Sequence, residues 1–271
     1  MVQRTVYRAA MFDDGERDLG VAGFLVRPVV LSFEWQGWQS PEEKRANVAA
    51  LHKVAREQGI ERILEISTKS PDPLGAVLSP FNLRCWVESA MGLLETSFES
   101  LWNGSKLYEG KGPFGTGPFP ELYQMAPWES LKDQRNSARV NGLPCGVEVE
   151  GRRYPVVAGY DYLYCLVAAP ALTGPQWRAL ESCQGFTEIT LAPEASLTCQ
   201  AGTVALMLAL HRRGLLSTAL ESFERFVTVV TAHEPTRYLP QTRLSGVAHH
   251  LDSVVGKAKG AESQPDLFSF S

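Results

Sequence analysis

Glu99-Ser100-Leu101-Trp102-Asn103-Gly104-Ser105-Lys106 is the stretch that most constrains the interpretation of this chain. We interpret it as part of one helix. Seven residues make about two helical turns, so Glu99, Asn103 and Lys106 lie on one face. An acid, an amide and an amine that project together could hold a sugar and carry out proton or covalent chemistry on it. The alternative is a solvated helix face, since surface helices commonly carry such charges.

The segments around this stretch predict strands and helices mixed along one chain. Ser40, Pro41 and Glu43 form a capping box with proline at the first helical position, and Gly59 is a natural terminator for the helix they begin. Other helices are predicted at 99–110, 160–168, 175–183, 201–213, 216–232 and 243–257, and strands at 4–11, 22–33, 62–66, 83–89, 145–149, 153–158 and 187–191. The glycine-rich segment 110–120 is interpreted as a plain flexible loop, because its G-x-G-x-x-G pattern follows a helix and contains prolines; a mobile loop beside the site is the alternative left open.

Composition limits the classes of protein to which the chain can belong. With 271 residues, 44% hydrophobic and 21% charged, it has the composition of an ordinary soluble globular protein. A net charge of −4 argues against a protein that grips long polyanions through a basic excess. No apolar window is long enough to span a membrane, and the N-terminus lacks an apolar signal region, so we expect a cytoplasmic protein without membrane contact.

Cysteine and histidine usage predicts neither disulfides nor a metal site. The five cysteines form an odd set without C-x-x-C spacing, which favours reduced thiols. The five histidines show no zinc-ligand spacing, so we expect no metal and no cofactor. We also find no internal repeat and no domain linker, and we expect one domain over 1–258 with a disordered tail rich in Lys, Gly, Ser and Pro at 259–271.

The central stretch resembles the motif of the NADAR (YbiA-like) family of N-glycosidases. That motif has a glutamate, a glutamine four residues on, a small residue, and a lysine seven residues after the glutamate. Glu99, Gly104 and Lys106 match it, and Asn103 stands where the family has glutamine. Upstream, the segment 78–82 (Leu-Ser-Pro-Phe-Asn) is similar to the family's Leu-Ser-Asn-Phe region, with the asparagine displaced.

The chain is most similar to one branch, the NADAR antitoxins associated with DarT-type DNA ADP-ribosyltransferases. Six further segments resemble this branch in order, so the motif-supported core covers about 30–216. They are Phe33-Glu34-Trp35, the segment 63–71, Lys132-Asp133 with Arg135, the segment 160–164, the segment 186–189 and Cys199-Gln200-Ala201.

The resemblance implies an α+β fold: a single NADAR/YbiA-like domain, helix-rich with small mixed β elements. It implies a hydrolase that removes ADP-ribose from guanine in single-stranded DNA, acting as antitoxin to a cognate DNA ADP-ribosyltransferase toxin. Three alternatives stay open: a non-catalytic ADP-ribose reader, an antitoxin that sequesters the toxin without chemistry, and an N-glycosidase of a small phosphoribosyl metabolite.

The resemblance makes Glu99 and Lys106 the candidate catalytic residues. A carboxylate near the anomeric carbon can move a proton or stabilise an oxocarbenium-like transition state. A lysine with a lowered pKa can form an imine with an opened ribose, and it fits equally a cation that holds the pyrophosphate.

Eight further residues are candidates for substrate binding, and several have a structural alternative. Lys69 is a phosphate contact or a solvated loop lysine, and Asp161 binds ribose hydroxyls or belongs to an aromatic core helix. Gln200 reads a base edge or satisfies nearby backbone, and Trp102 forms core or pocket wall. The full set comprises Lys69, Ser79, Asn82, Trp102, Asn103, Tyr160, Asp161 and Gln200.

Overall fold

The computed structural model describes residues 1–10, 24–89, 92–110, 112–190 and 198–238. Within these ranges the strands are β1 (Val2–Ala9), β2 (Val26–Phe33), β3 (Ile63–Glu65), β4 (Arg84–Ser89), β5 (Gly92–Ser97), β6 (Lys106–Leu107), β7 (Gly146–Val149), β8 (Arg152–Tyr154) and β9 (Gly185–Thr187). The helices are α1 (Pro41–Glu57), α2 (Pro73–Val77), α3 (Phe98–Ser105), α4 (Pro127–Lys132), α5 (Ala138–Asn141), α6 (Val156–Ala171), α7 (Gly174–Glu181), α8 (Gln200–Arg212), α9 (Leu216–Ala219) and α10 (Phe223–His233).

Three small sheets are combined with these helices. The largest has the strand order β2-β1-β9-β3, in which β1 pairs antiparallel with β2 and β9, and β3 pairs parallel with β9. A β4-β5 hairpin and a β6-β7-β8 sheet complete the set. The predicted α+β fold class, helix-rich with small mixed sheets, is confirmed.

The first helix shows how directly local sequence specifies structure here. Ser40 Oγ accepts from Glu43 N at 3.1 Å, and Glu43 Oε2 accepts from Ser40 N at 3.1 Å, so the predicted capping box is present. Gly59 follows the helix at φ +76°, a conformation that disfavours other residues. Val48, Leu51 and Ala55 form its buried face against the sheet.

The core lies around α6 and α8. Ten consecutive residues of α8, Ala201 to Leu210, are buried, and α6 contributes Tyr160, Tyr164 and Cys165 to the same cluster. A helix apolar on all sides must lie inside the protein. The aromatic helix predicted at 160–168 and the helix predicted at 201–213 are therefore confirmed as core elements.

Several predicted boundaries are wrong for local reasons. The segment 67–82, which its Ser, Pro, Asp and Gly residues predict to be a loop, contains the short helix α2, because Asp72 Oδ1 accepts from Leu74 N at 2.9 Å and Pro73 fits the first helical position. The helix predicted through 216–232 is broken, since Ser222 caps a separate α10 and accepts from Arg225 N at 3.1 Å.

Four other boundaries also differ from the prediction. Residues 92–97 form β5, although only its last two residues are buried and its apolar alternation is weak. Residues 156–158, predicted as strand, begin α6. The strand predicted at 187–191 is β9, which ends at Thr187. The helix predicted over 99–110 ends at Ser105, because Lys106 and Leu107 pair with β7.

The predicted helix at 243–257 and the tail at 259–271 lie outside the described residues. Among the residues that the structure does describe, no helix combines the length and apolarity required to cross a membrane.

Candidate functional site

The central motif lies on α3, a short helix that is buried along most of its length. Ser97 caps it and accepts from Ser100 N at 3.1 Å. The preceding turn is tied to its first residues, since Pro80 O accepts from Glu99 N and Leu83 O from Phe98 N, both at 2.9 Å. These contacts fix the start of α3 and leave the Glu99 side chain partly exposed.

The structure brings Glu99, Asn103 and Lys106 together as predicted. Asn103 Nδ2 donates to Glu99 Oε1 at 3.1 Å, and Lys106 Nζ donates to Asn103 Oδ1 at 3.0 Å. The amide therefore links the acid to the amine. Although asparagine is shorter than the family's glutamine, its buried side chain reaches both partners. We call this set the acid–amide–amine relay.

Two residues of the relay's surroundings were not predicted. Asn136 Oδ1 accepts from Lys106 Nζ at 2.5 Å, and Ser130 Oγ accepts from Asn103 Nδ2 at 3.1 Å. The turn carrying Asn136 is capped by Asp133, which accepts from Arg135 N and Nε at 2.8 Å each. The sequence signal for Asn136 is its neighbouring segment with Lys132, Asp133 and Arg135, which resembles the antitoxin branch.

Burial shifts the titration of both reactive groups toward their neutral forms. It lowers the pKa of Lys106 to about 8, against the opposing attraction of Glu99. It raises the pKa of the Glu99 carboxyl, while Lys106 and the Asn103 hydrogen bond act in the other direction. An amine whose pKa is lowered to about 8, beside a carboxyl whose pKa is raised, suits combined nucleophilic and acid catalysis.

An aromatic wall stands behind the relay. Trp102 and Tyr160 are buried and meet edge to face with ring centroids 4.8 Å apart. Tyr160 in turn contacts Phe98 at 5.6 Å and Tyr164 at 5.9 Å. Burial raises the pKa of Tyr160 well above its usual range, and the nearby Glu188 and Glu99 carboxyls add to the shift. Tyr160 therefore lies within electrostatic reach of Glu99.

A second acidic residue that was not predicted, Glu188, faces the same region. Its Oε2 accepts from Gln200 N at 3.2 Å, at the first turn of α8. Burial raises its pKa to about 8, with Glu65, and to a smaller extent Glu99, adding to the effect. The predicted residue Gln200 is thus placed beside the site through its backbone. Cys199 caps α8 and its thiol donates to Glu188 at 3.6 Å, as suits a structural cysteine.

Glu65 joins this region to the sheet. Thr187 Oγ1 donates to Glu65 Oε2 at 2.7 Å, and Ile189 N donates to Oε1 at 2.9 Å. Burial nevertheless raises the pKa of Glu65 to about 6. His52 contacts Thr187 Oγ1 at 2.8 Å, and burial lowers the pKa of this histidine to about 4.

The remaining predicted ligands occupy two turns, one before and one after α2. Lys69 follows the Glu65 strand and is partly buried; its pKa is lowered by burial and by Lys44, while Glu65 opposes the shift. Ser79 is buried, and its carbonyl accepts from Asn82 N at 2.8 Å in the turn that holds Glu99. The Asn82 amide donates to Ala76 O at 2.8 Å, and its side chain is exposed.

The sequence makes Asp161 a candidate ligand for ribose hydroxyls, but in the structure its carboxylate is bound by other protein side chains. Arg237 Nε donates to its Oδ2 at 3.0 Å, Tyr238 hydroxyl to the same oxygen at 3.1 Å, and Thr203 Oγ1 to Oδ1 at 2.5 Å. Both carboxylate oxygens are engaged by protein groups, so the buried Asp161 acts as an anchor for the segment Glu234–Tyr238. We leave it out of the pocket proposed below.

The glycine-rich loop packs against the end of α3. Phe119 N donates to Gly104 O at 2.6 Å, and a Cβ on Gly117 would lie 2.3 Å from Lys106 O. A Cβ on Gly104 itself would lie 2.5 Å from the Tyr123 ring. Glycine at these positions lets the loop approach the relay closely. The interpretation as a plain flexible loop therefore misses these contacts, although its place beside the site agrees.

The described part of the chain contains no group of three or more His, Cys, Asp or Glu side chains arranged to hold a metal ion. Proton and nucleophilic chemistry by side chains is what the relay itself offers.

Comparison with known proteins places this geometry in a family. Curated protein sequences give no significant match. A family model described as DarT1-associated NADAR antitoxin matches residues 21–238, which include α3 and every predicted site residue. The chain therefore belongs to the family of DarT1-associated NADAR antitoxins.

Proposed function

We propose that this protein hydrolyses the N-glycosidic bond between ADP-ribose and guanine in single-stranded DNA, and so reverses the modification made by a cognate DNA ADP-ribosyltransferase. The observation that carries the proposal is the acid–amide–amine relay Glu99–Asn103–Lys106. A DNA substrate and a toxin made in the same cell would place it in the cytoplasm.

In the proposed reaction Glu99 acts as the general acid. Burial raises the pKa of its carboxyl, which favours the protonated form more than in an exposed glutamate, and Asn103 holds the carboxyl at the partly exposed end of the relay. The proton goes to the ribose ring oxygen as the ring opens, so that C1 becomes an iminium of the guanine nitrogen. The same carboxyl, ionised, then stabilises the positive charge.

Lys106 acts as the nucleophile in this scheme. A neutral amine has two hydrogens and one lone pair, and its two hydrogen-bond acceptors here are the amide oxygens of Asn103 and Asn136. The lone pair remains for attack on C1. The new C–N bond replaces the bond to guanine, which leaves with a proton, and water then hydrolyses the lysine imine to return ADP-ribose and the free amine.

Overall, one water is consumed and one C–N bond is broken. The competing role for Lys106 is electrostatic: its cation would hold the pyrophosphate while water attacks an oxocarbenium-like C1. The lowered pKa, about 8, favours the nucleophile, because a phosphate-binding cation gains nothing from losing charge.

The pocket walls would supply binding and orientation. Trp102 and Tyr160 form an apolar wall for a base, and the turn with Ser79 and Asn82 lies beside Glu99. We propose that Gln200 faces the modified base and that Lys69, outside this pocket, contacts a phosphate of the substrate. Asn103 is a positioning residue, since its amide is engaged by Glu99, Lys106 and Ser130.

A catalytically silent reader or a toxin-sequestering antitoxin needs neither the acid nor the amine. The relay therefore favours an enzyme over both. A small phosphoribosyl metabolite remains the alternative substrate, because the relay alone does not specify what is attached to the ribose.

The deciding experiment incubates the protein with an oligonucleotide that carries one ADP-ribosylated guanine and measures free ADP-ribose and restored guanine by mass spectrometry. Glu99→Gln should retain binding of free ADP-ribose and lose nearly all turnover. Equal turnover by the two proteins would remove Glu99 from the mechanism, and binding without release by the parent protein would identify a reader. Release only from a phosphoribosyl nucleotide would identify the metabolite alternative.

A further inference from the structure

A basic groove lies between the first turns of α1 and the loop that follows β3. Among the described residues that line it, three have cationic side chains and none has a carboxylate. The lining consists of Pro41, Lys44, Arg45, Thr68, Lys69, Ser70 and Pro71. On a chain of net charge −4, this groove is a local site of attraction for an anion.

The cation at the rim of the groove is held by an aromatic column. Lys44 Nζ lies 5.4 Å from the centre of the Trp38 ring, and Trp38 stacks on Trp35 with ring centroids 5.4 Å apart. Arg4 covers the other end of the column, 5.2 Å from the Trp35 ring. Cation–π contact restricts the long lysine side chain, so its charge is positioned before a ligand arrives.

Arg45 and Lys69 supply the other two charges of the groove. Arg45 pairs with Glu42 at 2.9 Å, but both side chains are exposed, and such pairs contribute little. Lys69 Nζ donates to Thr68 Oγ1 at 2.9 Å on the opposite wall. The charges therefore come from two elements that face each other, a helix and a loop, as suits a chain of successive phosphates.

The groove adjoins the relay without belonging to it. Lys69 interacts electrostatically with Lys44 and Glu65, whereas Glu99 interacts with Lys106 and Glu188. The loop that carries Lys69 leads directly into α2, and the turn after α2 holds Glu99, since Pro80 O accepts from Glu99 N at 2.9 Å.

We propose that this groove holds the phosphodiester backbone of the single-stranded DNA beside the modified guanine. The inference rests on the function proposed above. It gives the chain a contact with the strand itself, separate from the pocket for the ADP-ribose adduct, and it predicts that a modified strand is preferred over a free modified nucleotide.

The test compares Lys44→Gln/Arg45→Gln with a control, Lys53→Gln/Arg56→Gln, which removes the same charge from exposed positions further along α1. Each protein is assayed on a single strand of roughly 12 nucleotides with one ADP-ribosylated guanine, and on an ADP-ribosylated guanosine monophosphate. Binding of the unmodified strand is measured in parallel by fluorescence anisotropy over a range of salt concentrations.

The groove variant should raise KM for the strand on the order of ten-fold, and lower the slope of log K against log salt by about 0.7 for each lost phosphate contact. Its kcat/KM for the monophosphate should equal that of the parent, and the control should match the parent throughout. An equal loss of kcat/KM on both substrates would assign the groove to the ADP-ribose pyrophosphate and overturn the proposal. An unchanged KM and an unchanged salt slope on the strand would also overturn it.

The binding arm separates this inference from the proposed function. If the parent hydrolyses neither substrate, the glycosidase proposal fails, while a difference in salt slope between the groove variant and its control still supports a strand-binding groove. Identical slopes in that case would refute it independently.

Discussion

The ionisation of Lys106 gives the sharpest quantitative prediction. Its pKa falls from 10.5 to about 8. At pH 7 the neutral fraction is then about 9%, compared with about 0.03% for an unperturbed lysine, a gain of about 300-fold in nucleophile. Acylation of Lys106 by an amine-reactive ester should therefore rise with pH and reach half its maximum near pH 8.

Replacing Glu99 with glutamine keeps the shape of the side chain and removes its charge. Because the Glu99 carboxylate raises the pKa of Lys106 against the effect of burial, its loss should lower the Lys106 pKa further. The labelling curve of Glu99→Gln should shift to lower pH. Mass spectrometry of the peptide containing residue 106 measures this without relying on turnover, and exposed Lys53 in the same digest serves as the internal reference.

Two results would refute the reasoning. A midpoint close to that of an ordinary lysine in the parent protein would mean that burial does not destabilise the Lys106 cation. A shift to higher pH in Glu99→Gln would mean that the carboxyl does not act on the amine. Because the two groups interact, the pH dependence of kcat/KM would report the pair rather than either residue alone.

Borohydride added during turnover should trap a reduced imine on Lys106, and mass spectrometry that finds no adduct during active turnover would leave only the electrostatic role. Gly104→Ala should lower the free energy of unfolding by about 1–3 kcal/mol, because the new Cβ would overpack the core. Gly202→Ala should be neutral or stabilising, because the nearest atoms are 3.4 Å from the new Cβ. Urea unfolding measures both, and equal free energies for the two variants would contradict the clash at Gly104. In the folded protein the pKa of His52 is about 4, below its ordinary value of 6.5. As the pH falls below 6.5, His52 is therefore protonated in the unfolded chain before it is protonated in the folded protein. The free energy of unfolding should consequently drop by on the order of 3 kcal/mol at pH 4. His52→Gln should lose this acid sensitivity while the control His211→Gln keeps it, and parallel stability–pH curves for the parent and His52→Gln would disprove the assignment.

Local chemistry made part of this structure predictable. The capping box at Ser40 and the left-handed Gly59 need only neighbouring residues, and Glu99 and Lys106 are brought together by one helix. The seven-residue spacing still gave the correct face, although Lys106 is the first residue beyond the helix.

The remainder of the site depends on contacts between distant segments. Asn136 reaches Lys106 across 30 residues of sequence, and Glu188 acquires its raised pKa only through burial beside Glu65 and α8. Asp161 looked like a ligand because its partner Arg237 lies 76 residues away. Helical periodicity contains no information about such pairs.

The order of strands in the largest sheet has a kinetic consequence. β1, from the first residues of the chain, lies between β2 and β9, and β3 is attached to the sheet only through β9, which ends at Thr187. Closing such long loops costs entropy before any pairing is gained, which slows folding. The relay and its partners Ser130 and Asn136 span about 40 residues and need no such closure. We therefore expect a folding chain to assemble the reactive amine early and to acquire its acidic wall, Glu65 and Glu188, only when the sheet closes.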